Sequence, residues 1–197
     1  MLKVIISPAK KMKRRNDILP YKNIPFFIKE AEKLFSYMGN MSFDELKDLW
    51  KCSDKLVEEN ERQFRIGNLK QNLSPAILSY EGIQYKYMKP LTFSDSDKEY
   101  AQKTIRILSG AYGILKPYDS IYEYRLEMLT KLNVAGTKNL YEYWSDLLYQ
   151  DLIASDDRIV NLASEEYAKC IRKYVKAPVR FLTCSFKVRK NGVYKTL

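Results

Sequence analysis

Residues 107–128, ILSGAYGILKPYDSIYEYRLEM, decide how this chain divides into elements. A helix-like run ends at Ser109-Gly110, two glycines bracket Ala111-Tyr112, and Lys116-Pro117 precede tyrosines grouped around Arg125 and Glu127. Glycine adopts φ > 0 without penalty, so Gly110 and Gly113 allow a backbone or a phosphate to approach closely. The same spacing suits a plain helix stop followed by a tight turn. Upstream, Ser94-x-x-Asp97 reads as a capping box, and Ala101, Ile105 and Leu108 form the apolar stripe of a helix over 95–109. Lys98, Gln102, Lys103 and Arg106 fall off that stripe and are expected to face outward. Downstream, Tyr122–Met128 alternates as a strand does.

Outward from this centre the pattern is mixed. Leu2–Ile6 is a short apolar run, most simply a buried strand, and it exits into SPAKKMKRR, which carries Lys10, Lys11, Lys13, Arg14 and Arg15. Ligand loops gather at such carboxyl ends in α/β sheets. Phe27, Ala31, Leu34, Phe35 and Met38 repeat at helical spacing until Gly39-Asn40. Ser42-x-x-Glu45 caps a helix with Leu46, Leu49 and Trp50 inward. Ser53 caps another to about Arg65, with Leu56, Val57 and Phe64 inward and Gly67-Asn68 closing it. Ser74-Pro75 opens a further helical turn that Gly82 breaks. In YEGIQYKYMKP, Tyr80, Tyr85 and Tyr87 alternate with Lys86 and Lys89, which suits either a base-stacking surface or a half-buried sheet face.

Asn139 with Glu142 caps a helix burying Leu140, Trp144, Leu147, Leu148 and Leu152. Ile159–Leu162 reads as a second buried strand, and Ser164 caps a helix with Glu165 and Glu166 in its first turn, where the helix dipole favours carboxylates. Val179–Val188 alternates, with Leu182, Cys184, Phe186 and Val188 on one face, and Asn191-Gly192 is a hairpin turn. Short strands interspersed with helices give an α/β (mixed α+β) class: a single domain with a central mixed sheet and peripheral helices.

Composition narrows the chemistry. At 46% apolar and 29% charged, with 7 Gly and 7 Pro in 197 residues, the chain reads as globular. No apolar run approaches the ~18 residues of a membrane span. The opening MLKVIIS is too short for a signal peptide, so the expected compartment is the cytoplasm. Cys52, Cys170 and Cys184 lack metal or disulfide spacing. Histidine is absent, which removes the commonest general base and transition-metal ligand. Net charge is +10 and sits at the ends, with seven Lys/Arg against one Asp in residues 1–25 and nine against none in 169–197. Brought together, those ends make a basic surface for polyanions.

These motifs resemble the YaaA family of peroxide-stress resistance proteins. The likeness rests on IISPAK at 5–10, ILSGAYGILKPYDSI and YRLEM within 107–128, LYEYW at 140–144 and NLASEEY at 161–167, supported by SDKL, TFSDSD and FKVRKNGVYK, all in family order over 1–197. The resemblance implies one cytosolic domain of cantaloupe-like fold that limits iron-dependent damage under hydrogen peroxide. It implies DNA binding without strong sequence preference, through a basic cleft and a helix-hairpin-helix-like element placed at 95–113. The expected partner is double-stranded or structured DNA, bound by a monomer with no cofactor and no metal. The expected contacts are Lys10, Lys11, Lys13, Arg14, Arg15, Lys103, Arg106, Gly110, Gly113, Lys116, Arg125, Lys187 and Arg189. Three departures stand out: the turn is G-x-x-G rather than G-x-G, Glu123 replaces the family's proline before YRLEM, and a further C-terminal basic segment of the family is expected to be missing.

A second reading makes the chain an enzyme on a nucleotide or nucleobase-like ligand near the first strand. Lys10 binds or activates, Glu165 or Glu166 acts as acid/base, and Arg125 holds phosphate. Direct iron binding would have to rely on carboxylates alone.

Overall fold

A computed structural model describes residues 2–15, 23–65, 69, 72–190 and 192–196. The first apolar run is β1 (Lys3–Ile6), and its basic exit forms β2 (Lys11–Met12). Helices α1 (Ile28–Gly39), α2 (Phe43–Trp50) and α3 (Asp54–Arg65) follow. Phe27, Ala31, Leu34, Phe35 and Met38 are buried, as their spacing dictates. The box that starts α2 closes both ways: Ser42 N–H donates to Glu45 Oε2 at 2.7 Å and Glu45 N–H to Ser42 Oγ at 3.3 Å. In α3, Val57 is buried but Leu56, expected inside, is exposed. The Phe64 side chain and the Gly67-Asn68 stop lie outside the described residues.

Next come β3 (Ser74–Pro75), α4 (Ala76–Ser79), β4 (Tyr80–Glu81) and α5 (Ile83–Met88). The tyrosine-lysine stretch is therefore largely helical. Tyr80 and Tyr85 are buried while Tyr87 is 75% exposed. After a 3-10 turn at Pro90–Thr92, α6 (Asp95–Thr104) starts on the expected Ser94–Asp97 box.

The helix expected to reach residue 109 stops at Thr104. Ile105–Ser109 is β5, paired parallel to β1 with Val4 opposite Ile105 and Ile6 opposite Ile107. Arg106, Ile107, Leu108 and Ser109 are all buried, so this strand shows no alternation that could have distinguished it from helix. A three-residue turn returns the chain as β6 (Gly113–Leu115), antiparallel to β5. The glycine element is thus a strand-turn-strand hairpin, not helix-hairpin-helix. Then β7 (Ser120–Ile121) pairs with β3. Beyond it Tyr122, Tyr124, Leu126 and Met128 are buried in alternation, as read, but the backbone joins no ladder.

Asn139 Oδ1 accepts the Glu142 N–H at 3.0 Å and starts α7 (Leu140–Trp144). Ser145, at φ +44°, ends that helix, so the single predicted helix is two, with Leu147 exposed at the start of α8 (Leu147–Ile153). The chain finishes with β8 (Arg158–Asn161), α9 (Glu165–Arg172), β9 (Arg180–Thr183), β10 (Lys187–Lys190) and β11 (Val193–Thr196). The long alternating strand over 179–188 is therefore broken. Leu182 is 63% exposed, because β9 is an edge strand with one flank uncovered. The hairpin turn is present: Lys190 pairs with Val193, and Gly192 sits at φ +79°.

The main sheet runs β6-β5-β1-β8-β9, parallel except for β6. Charges gather at its amino end. Lys3 Nζ donates to the Lys103 carbonyl at 2.9 Å, and Arg106 donates to the Gln102 and Ile105 carbonyls at 3.1 and 2.7 Å. Asp119 accepts the Lys116 N–H at 2.8 Å. Burial pushes Asp119 up to about 6, against the pull of that hydrogen bond and of the Lys116 and Arg106 charges, and burial raises Asp151 too. Because the folded value lies above the free value of 3.8, the folded state holds this proton more tightly. Its contribution is full below the free value and is lost as pH rises through about 6. Asp119→Asn is therefore expected to gain about 2 to 3 kcal/mol over the unsubstituted protein between pH 4 and pH 7.5. Urea unfolding of both proteins across that range checks it; parallel curves would refute it.

Candidate functional site

From β1 the sheet continues to β5 on one side, and from β8 to β9 on the other, so the crevice at their carboxyl ends is a topological switch point. The two loops that leave it are Ser7-Pro8-Ala9-Lys10 and Leu162-Ala163-Ser164. They are tied together by Ser7, whose Oγ accepts the Ser164 N–H at 2.9 Å and donates to Ser164 Oγ at 3.2 Å. Ser164 does take the position before α9, as read, yet the capping contact there comes from Ser7 and not from its own side chain. Tyr85 and Gln84 donate to the Ser7 carbonyl at 2.8 and 3.0 Å, which fixes the loop from below.

Tyr124–Glu127, Glu166 and Tyr167 complete a cavity of about 270 Å³ over these loops. The unpaired backbone of this segment is held by Trp50, whose Nε1 donates to the Arg125 carbonyl at 2.8 Å. Lys10 Nζ lies 2.8 Å from Glu127 Oε2 across the opening. Glu166 Oε1 accepts the Leu129 N–H at 3.1 Å, while its carbonyl takes the Tyr141 hydroxyl at 2.9 Å. Behind the wall the Tyr124 hydroxyl sits 2.7 Å from that of Tyr80 and 2.6 Å from Ser109 Oγ. Burial raises Tyr124 to about 12, so it stays protonated at neutral pH. Of the two carboxylates the sequence offers, Glu166 lines the cavity. Glu165 is exposed and paired with Arg172, whose hydrogen bond holds its carboxyl below the usual range.

A second concavity, of about 620 Å³, lies beside it between β2 and α5. Lys11, Arg15, Lys86 and Lys89 border it against the single carboxylate Glu81, over a floor that includes Ile77, Tyr80, Tyr85 and Pro90. Lys11 and Arg15 lie 3.0 and 3.7 Å from the two Glu81 oxygens, and the Lys11 hydrogen bond lowers the Glu81 pKa. The strand pair β2–β4 and the Arg15 N–H bond to Ser74 Oγ at 2.8 Å fix the basic segment in place. Lys13 and Arg14 are exposed alongside, with Arg14 5.9 Å from the Tyr122 ring centre. The tyrosine-lysine spacing of 80–89 was the one signal in the sequence for Lys86 and Lys89.

Other expected contacts are scattered. Arg106, expected to face outward, is 7% exposed and spends its guanidinium on backbone carbonyls, because its strand lies in the interior of the sheet. Lys103 is exposed near Glu99, and Lys116 is exposed beyond β6; both lie at the amino end of β5, opposite the switch-point cavity. Lys187 and Arg189 are exposed on β10. Gly110 and Gly113 are closed in by packing: a Cβ on Gly110 would lie 2.4 Å from Leu126 O, and one on Gly113 2.7 Å from Leu148 Cδ2. These glycines therefore give no opening to a phosphate. Among the described residues no three Cys, Asp or Glu side chains come together as metal ligands, and no helix is long and apolar enough to cross a membrane.

The architecture defines a mixed α/β protein with a small polar cavity at its switch point and a cation-bordered groove beside it. Residues 2–197 match the family model described as peroxide stress protein YaaA. The chain belongs to that family, and a role in the peroxide-stress response follows. A UPF0246 protein of Lachnoclostridium phytofermentans is 48% identical over 190 residues, covering 96% of this chain and 74% of its own length. One of Desulfitobacterium hafniense is 44% identical over 199 residues, with 98% and 79% covered. One of Clostridioides difficile is 43% identical over 192 residues, with 98% and 78% covered.

Proposed function

We propose that this protein serves the peroxide-stress response by binding DNA without sequence preference, shielding it from iron-dependent damage. The groove between β2 and α5 supports this reading: four cations border it against one carboxylate. Lysines and arginines held at separate points on two elements can follow a phosphate backbone, and backbone contacts carry no sequence information. Lys13 and Arg14 extend the cationic edge, and exposed Tyr87 of α5 provides a face for an unpaired base. The contact set thus centres on Lys11, Lys13, Arg14 and Arg15 with Lys86 and Lys89, and the glycine turn has no part in it.

Four phosphate contacts imply a salt slope near −4, so affinity is expected to fall about 100-fold between 50 and 200 mM salt. Titration of duplex, single-stranded and bubble DNA at the two salt concentrations measures this. The double variant Lys86→Glu, Lys89→Glu is expected to weaken binding at least tenfold, equally across sequences, and to flatten the slope. Absence of binding at low salt sinks the proposal, as does full affinity in the double variant.

A further inference from the structure

We infer that the cavity between the carboxyl ends of β1 and β8 is a binding site for a small phosphorylated metabolite of sugar-phosphate or mononucleotide size. The inference is separate from DNA binding and uses other residues. Position is the first argument, since the crevice where parallel strands part in opposite directions is where open α/β sheets bind ligands. Size is the second. About 270 Å³ is at the small end of ligand cavities and holds one ring with one phosphate, not a stretch of polymer.

The lining supplies the third argument. Lys10 and Arg125 bring two cations to the cavity, and Glu127 and Glu166 bring two carboxylates. A ligand that satisfies both must carry an anionic group and hydroxyl or amino donors, which a sugar phosphate or mononucleotide does. Lys10 rests on Glu127 at 2.8 Å, so the incoming anion competes with Glu127 for Lys10 and frees that carboxylate to accept a ligand hydroxyl. The site is also built to hold still. Ser7 is anchored through its Oγ to the Ser164 loop and through its carbonyl to α5, and the Tyr124 hydroxyl is locked in a buried chain with Tyr80 and Ser109. A wall fixed in this way keeps its geometry without a ligand, which lowers the cost of binding.

Thermal denaturation with saturating AMP, ribose 5-phosphate or inorganic phosphate tests the inference. At least one of the two organic probes is expected to raise the midpoint by about 5 °C. Lys10→Gln, at a side chain 70% exposed and clear of the core, is expected to abolish most of that shift, and Arg125→Gln to do the same. The double variant Lys86→Glu, Lys89→Glu should keep the shift in full, so failure of DNA binding and failure of this site are told apart. The inference is overturned if neither organic probe shifts the midpoint, if inorganic phosphate alone gives the whole effect, or if the shift survives in both Lys10→Gln and Arg125→Gln.

Discussion

Gly110→Ala is expected to destabilise the protein by about 3 kcal/mol or more, lowering the midpoint by roughly 10 °C. The added Cβ would meet Leu126 O at 2.4 Å, Leu126 C at 3.0 Å and Glu127 C at 3.1 Å. All three are backbone atoms, so no side-chain rotation relieves the overlap, and the segment 124–128 must move outward. That segment carries Arg125 and Glu127 into the switch-point cavity. A Gly110→Ala protein that remains folded should therefore also lose the ligand response of the cavity. Gly136→Ala is the control. Gly136 has φ +78° but nothing within 4 Å of the position a Cβ would take, so its cost is the left-handed backbone alone, about 1 kcal/mol. Thermal and urea denaturation of the two variants distinguish steric exclusion from backbone preference, and equal losses would refute this account of Gly110.

Trp144→Ala should cost about 3 to 5 kcal/mol, the range for deleting a fully buried large aromatic. The indole has no exposure and packs edge-on to Phe27 and Tyr143 with ring centres 5.7 and 5.2 Å away. Its Nε1 donates to the Gly110 carbonyl at 2.9 Å, inside the core. Trp144→Phe keeps most of the ring contact but orphans that buried carbonyl, so it should lose about 1 to 3 kcal/mol. Since the same turn is gripped by Trp144 on one side and Leu126 on the other, Gly110→Ala and Trp144→Phe are expected to be non-additive. Denaturant midpoints of the singles and the double provide the cycle; strict additivity would show that the two contacts act independently.

Both predictions make the hairpin at 109–113 an organiser of the fold. It fixes the wall from Tyr124 to Glu127 and the helix α7, and through that wall it shapes the cavity. A spacing that could mark a phosphate-gripping turn has its backbone wholly occupied by protein. The cations that suit DNA lie instead on β2 and α5.

What the sequence by itself determined is what depends on neighbours within about four residues. The boxes at Ser42–Glu45 and Ser94–Asp97, the Asn139 cap, the α1 stripe and the Gly192 turn were all legible, because a cap, a helical face and a two-residue turn are completed inside the segment that encodes them. The mixed α/β class followed from those elements. The tertiary structure alone decided the rest. Ile105–Ser109 is strand because β1, a hundred residues away in the chain, pairs with it, and its burial on both sides erased the alternation that identifies a strand. Arg106 is interior for the same reason. The choice of Glu166 over Glu165 depends on where α9 meets the Ser7 loop, and the groove joins Lys11 and Arg15 to Lys86 and Lys89 only through the β2–β4 pair. Contacts of that kind arise from the packing of distant segments, which local spacing does not encode.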